Sequence, residues 1–115
     1  MRILSAVPGL AVVLVLLLGQ VYAGDDIEKG KKLFNDPKLS GGTTGVSCGS
    51  CHPNGKGLED VSSRTEFRAM GKTYKTIEEA TNYFIETAQK GKALATDSEE
   101  MKALVAYMKS LKPSK

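Results

Sequence analysis

Cys48-Gly49-Ser50-Cys51-His52 is the stretch on which the reading of this chain turns. Two thiols three positions apart lie on one side of a helical turn. Each S–H can add across a vinyl group of haem, sulfur bonding one vinyl carbon and the proton going to the other, so that two thioether bonds form. The next residue, His52, is then held against the iron as proximal axial ligand. A covalent tether fixes such a group even in a chain too short to wrap it completely. Three other uses of these cysteines fit the sequence less well. Cys-x-x-Cys bridges are mostly redox-active rather than structural. A thioredoxin-like dithiol needs a strand before the motif and a parallel sheet around it, and neither is visible. Structural zinc wants four ligands, and His52 is the only histidine and Cys48 and Cys51 the only cysteines.

The chain has 115 residues, a length that suggests one domain, but its first stretch reads as a leader. Arg2 supplies a minimal positive start, Leu10 to Leu18 is an uninterrupted apolar run, and Gln20-Val21-Tyr22-Ala23 has the residue types a signal peptidase reads. A secretory signal peptide over residues 1–23 is therefore expected, with a cut after Gly24 and a retained N-terminal anchor as the alternatives. The apolar run is well short of the roughly 20 residues that span a bilayer. The mature domain is expected over residues 24–115, exported to the periplasm or an equivalent compartment. Lys and Arg number 16 against 13 Asp and Glu, a formal net charge of +3 that falls to +2 if Arg2 leaves with the leader. No dense basic stripe suggests nucleic-acid binding. A domain this small has little apolar interior of its own, so a bulky apolar cofactor would supply much of it.

Three helical segments flank the motif, and no segment alternates like a strand for more than three or four residues, so an all-α fold with loops is expected. The first runs from about Asp26 to Asn35, with Asp25 or Asp26 as N-cap, Ile27, Gly30, Leu33 and Phe34 on one face, and Pro37 as its stop. The second runs from about Ile77 to Gln89, with Thr76 and Glu79 at capping-box spacing, a stripe of Ile77, Ala80, Phe84 and Ala88, and Gly91 as its end. The third runs from about Ser98 to Leu111. Asp97 and Glu100 stand at capping spacing, and Met101, Leu104, Val105, Met108 and Leu111 form its stripe. Residues Glu59 to Lys75 are ambiguous, with a short helix around Ser63 to Met70 as the expectation.

Taken together, these stretches resemble the class I cytochrome c family. Asp26 to Phe34 looks like its N-terminal helix, Cys48 to His52 is its attachment motif, and Leu104 to Leu111 looks like its C-terminal helix, with Thr76 to Ala88 a looser match to the middle helix. The resemblance implies a cytochrome c-like fold, three main helices around one covalent haem c. It also implies that Gly30 lets the first and last helices cross closely beside Phe34, Leu104 and Tyr107. It further implies a second axial ligand, a methionine, in the loop between the middle and last helices. Here that loop, Gln89 to Thr96, has none. Met70 is the first substitute for the distal position and Met101 the second. Gln89, Lys90, Lys92, a water or an open site remain. The family's proline about a dozen residues after the haem histidine is also missing, so another backbone carbonyl is expected to orient the His52 ring. Arg64, Arg68, Lys72, Tyr74 and Lys75 are candidate partners of the haem propionates.

The function implied is electron carriage by outer-sphere transfer, with transient docking of redox protein donors and acceptors. Lys56, Lys72 and Lys75 are candidates for steering an acidic partner. No membrane span is expected in the mature chain, and a monomer is expected. No constellation for an enzyme acting alone is visible, since the one histidine is committed and no carboxylates are paired by a motif. The rival readings are a haem-based sensor or small-ligand binder with an open distal site, and an electron-entry subunit of a larger redox complex.

Overall fold

The structure is a computed structural model that describes residues 24–112. The expected signal peptide and Pro113 lie outside the described residues. The chain is helical over residues 24–34 (α1), at Cys48–Cys51 (α2), at Ile77–Thr87 (α3) and at Glu99–Ser110 (α4). Short 3₁₀ turns at Leu39–Gly41, Pro53–Gly55 and Val61–Ser63 carry the chain between them.

The α1–α4 crossing organises the rest. Gly30 is buried, and a Cβ built on it would lie 1.9 Å from the Ala103 carbonyl oxygen and 2.8 Å from the Tyr107 Cβ. No side chain fits there, so the missing one is what lets the two backbones approach. One turn on, the Phe34 and Tyr107 rings pack at 5.1 Å in a tilted pair, an aromatic contact that adds to the area they bury. Met101, Leu104 and Ile85 complete the fully buried centre. Ile27, expected on the same face as Gly30, lies beyond the crossing and is exposed.

The α3 and α4 starts are set by hydroxyl caps. Thr76 Oγ1 accepts from the Glu79 N–H at 3.1 Å, as its spacing predicts. At α4 the cap is Ser98, whose Oγ accepts from the Met101 N–H at 3.2 Å, so the expected Asp97 is one residue too early. Likewise Asp25 and Asp26 lie within α1 rather than capping it. α3 ends at Thr87 with Ala88 as its C-cap, and the left-handed residue in the turn that follows is Lys90 (φ 58°), not the expected Gly91. Replacing Thr76 with alanine should cost about 1 kcal/mol of unfolding free energy, read by denaturant titration, because the Glu79 N–H loses its partner.

The largest departure from the sequence reading falls between Ser63 and Met70. The expected helix is absent: the Val61–Ser63 turn leads into a two-stranded antiparallel hairpin, Phe67–Ala69 (β1) and Lys72–Tyr74 (β2), with Phe67 opposite Tyr74 and Ala69 opposite Lys72. Met70 and Gly71 form its two-residue turn, both at positive φ (51° and 85°), the mirror-image geometry that matches strand twist. Phe67 and Ala69 point into the core and Arg68 outward. The fold is thus helix-rich with one small hairpin. No helix among the described residues is long and apolar enough to cross a membrane.

Candidate functional site

α2 is one turn long and its ends are fastened locally. The Ser47 N–H donates to Ser50 Oγ at 2.9 Å, and the His52 N–H closes the turn onto the Cys48 carbonyl at 2.9 Å. This places Cys48, Cys51 and His52 on the wall of one open pocket of about 800 Å³, its mouth included. The rest of the wall is largely apolar. Phe34 comes from α1, Leu58 and Val61 from the segment after the motif, Phe67 from β1 and Met108 from α4. α3 contributes Ile77, Ala80 and Phe84, with Ala88 just past its end. The apolar stripe read from the α3 sequence therefore faces the pocket, whereas Ile85 on the next face enters the protein core. Phe84 remains 38% exposed because it stands where the pocket meets solvent.

The His52 ring is oriented from behind. Its Nδ1 lies 2.9 Å from the Lys56 carbonyl oxygen. A carbonyl only accepts, so Nδ1 carries the proton and Nε2 keeps its lone pair for a metal. Gly57, at φ 96°, turns the chain under the imidazole, and a Cβ there would touch Nδ1 at 3.4 Å. Arg64 holds that turn in place. Its Nη2 donates to the Gly57 carbonyl at 3.3 Å and its Nε to Asp60 Oδ1 at 3.0 Å. Hydrogen bonding from Arg64 holds the Asp60 carboxyl below the usual carboxylate range. The carbonyl expected to orient the ring is therefore that of Lys56, four residues away.

Cys48 and Cys51 form no disulfide. Burial pushes Cys48 up to about 11, with a hydrogen bond to its own backbone opposing and the neighbouring Cys51 adding slightly. A redox dithiol needs a lowered thiol pKa, so the direction of this shift argues against that use of the pair. In the haem-free protein at pH 8, iodoacetamide should label exposed Cys51 at least tenfold faster than Cys48. Raising the pH through about 11 should bring Cys48 into reaction, because only its thiolate attacks; mass spectrometry of the two peptides reads both. Among the described residues, no group of three or more His, Cys, Asp or Glu side chains converges as a metal site, which leaves the zinc alternative without its ligand set.

The structure does not bring Met70 to the pocket. It sits at the hairpin turn, 78% exposed, and is not among the lining residues. Met101 is fully buried in the core and does not line the pocket either, whereas Met108 does. A non-glycine residue at positive φ carries strain. Met70→Asn, the residue type such turns prefer, should raise stability by about 0.5–1 kcal/mol and leave the visible spectrum of the haem-loaded protein unchanged. Of the five propionate candidates, Arg64 and Arg68 line the pocket; Lys72, Lys75 and Tyr74 do not, and the Tyr74 ring packs on Tyr83 at 5.8 Å. Sequence reasoning missed the Ser47–Ser50 fastening, although Ser-x-x-Ser around Cys48 was there to be read. It gave Gln89 a minor place. That side chain is 2% exposed, lines the pocket and has an Oε1 with no hydrogen-bond partner among the described residues.

These residues fit a covalently held haem. Two thiols and an oriented imidazole share a wall, the remaining surface is largely apolar, two guanidinium groups stand along it, and one buried amide oxygen lacks a hydrogen-bond partner among the described residues. Such a turn and pocket between crossed terminal helices define a small c-type cytochrome domain. Residues 29–112 match the family model described as SoxA/TsdA, cytochrome c domain, and the chain belongs to that family. A cytochrome c domain carries covalent haem c and serves electron transfer in general. No curated protein and no solved structure matches the chain.

Proposed function

We propose that the protein is an exported monohaem c-type cytochrome that carries electrons between redox proteins by outer-sphere transfer. Cys48 and Cys51 bind the haem covalently through thioether bonds, and His52 Nε2 is the proximal iron ligand. The observation that supports this most is that Cys48, Cys51 and His52 share one apolar pocket while the Lys56 carbonyl holds the imidazole in the metal-binding tautomer. When bound, haem supplies one-electron chemistry at potentials set by its ligands and surroundings. The chain's residues do the rest. Lys56 and Gly57 fix the ring, Arg64 and Arg68 pair with propionates, and the apolar wall excludes water, which limits reorganisation on electron transfer. The open mouth beside Phe84 is where a partner would approach, with Lys56, Lys72 and Lys75 steering an acidic one.

The testing experiment is a pyridine haemochrome and a redox titration of protein made in a host that attaches haem c. A haem c spectrum with one haem per chain and a reversible one-electron wave is expected. Chains that leave that host with free thiols and no haem would defeat the proposal. A second reading, a small-ligand binder, is favoured by Met70 lying outside the pocket and by the lack of methionine between Gln89 and Thr96. Carbon monoxide separates the two: rapid, tight binding to the reduced native protein shows that no strong sixth ligand is present.

A further inference from the structure

We infer that Glu59 is a positioning residue for the axial imidazole, acting on His52 through one peptide group. Its Oε1 accepts from the Gly57 N–H at 2.8 Å. The carbonyl of that same peptide is the Lys56 oxygen, 2.9 Å from His52 Nδ1. Imidazole, peptide and carboxylate therefore form one chain of hydrogen bonds, each N–H donating in the direction of Glu59. This rests on the haem reading of the pocket.

A peptide is conjugated, so a change at its N–H is felt at its carbonyl oxygen. A carboxylate on the N–H pushes negative charge onto that oxygen, and hydrogen bonds in such a chain strengthen one another. The Lys56 oxygen is then the stronger acceptor and pulls harder on the Nδ1 proton. Nε2 becomes the better electron donor, as it does where a carboxylate bonds a ligating histidine directly. Arg64 does not cancel this. Its Nη2 bonds the Gly57 carbonyl, which belongs to the next peptide, and its charge is paired with Asp60. Glu59 is only partly exposed and forms no ion pair among the described residues, so its charge stays with the Gly57 N–H. Backbone bonds hold the arrangement: the Lys56 N–H donates to the Pro53 carbonyl at 3.0 Å and the Leu58 N–H to that of Gly55 at 2.9 Å. A stronger donor favours ferric over ferrous iron, so Glu59 lowers the reduction potential.

The test is a redox titration of the haem-loaded protein and its Glu59→Gln variant, which keeps an acceptor of nearly the same shape without the charge. The variant should shift the couple about threefold toward ferrous iron, the difference between a charged and a neutral acceptor felt across a peptide. At 59 mV per tenfold this is a rise of about 28 mV. The shift should persist in about 1 M salt, where charges act through solvent over only about 3 Å. In the reduced protein, with carbon monoxide added so that the iron is diamagnetic whatever its sixth ligand, the His52 Nδ1–H proton resonance should move upfield, the mark of a weaker hydrogen bond. Glu59→Ala, which also removes the acceptor, should move both readouts at least as far. If the alanine variant does not fold, the glutamine variant decides alone. An unchanged couple, a shift that disappears in high salt, or a shift with no movement of the Nδ1–H resonance would each overturn the assignment. A purified chain without haem c would instead remove the haem reading, and this assignment with it.

Discussion

Replacing Cys48 and Cys51 together with serine should abolish the haem stain that survives denaturing electrophoresis, a complete loss rather than a graded one. On the proposed function both thioether bonds come from these two sulfurs, and the sequence holds no other cysteine. Single variants separate the positions. Each should retain haem through the remaining thioether at reduced yield, with the absorption band shifted by the intact vinyl group. Serine is close in volume, and Ser47 and Ser50 still fasten the turn, so the double variant should keep its helical circular dichroism if it folds. Haem that stays covalently attached after both changes would mean that the pocket holds the group through some other side chain, and the role of the motif would fall.

Gly30→Ala is the second large effect, and its sign is informative. Helix propensity alone predicts a gain of about 1 kcal/mol, because alanine is the better helix former. The crossing predicts the reverse. A methyl placed 1.9 Å from the Ala103 carbonyl oxygen must push α1 off α4 and open the Phe34–Tyr107 contact. Overpacking of this kind typically costs about 1–3 kcal/mol, and contact with rigid backbone puts this case near 3 kcal/mol. Against a total stability of roughly 5–15 kcal/mol, that is a large share for one methyl group. Guanidinium unfolding should show a lower midpoint with an unchanged slope. A higher midpoint would show that the helices do not meet at Gly30.

The parts of the fold that were legible in the sequence are those specified by neighbours in sequence. The attachment motif, the periodic faces of α3 and α4 and the Thr76 cap each lie within a few turns of chain. Gly30 was legible only through the family's helix crossing, since mid-helix glycine has a bland reading too. The hairpin was hidden for a physical reason. Its strands are three residues each, and the first turn position is Met70 rather than the asparagine or aspartate that usually marks such a turn. With that signal missing, Met70 looked like a mobile residue free to approach the iron, whereas the turn points it into solvent. The pocket wall around Gln89 was hardest to read because contacts between distant residues build it. Gln89 is oriented by Asp36, 53 residues away, and no local pattern announces that pairing. The α3 stripe shows a subtler limit: periodicity identifies an apolar face, but not whether that face meets protein or cofactor.

The hydrogen bonds around the proximal site have a consequence for the order of assembly. From the Ser47–Ser50 fastening to the His52–Lys56 contact and the Arg64 links to Asp60 and Gly57, no partner is more than seven residues from the other. The Gly30–Ala103 approach joins residues more than seventy apart. Closing a short loop takes tens of nanoseconds, and closing a long one has a greater entropic cost. A nascent chain can therefore present its two sulfurs and its imidazole in working order before its ends have met. On the proposed function the cofactor would then be a template on which the terminal helices close, not a guest admitted to a finished protein.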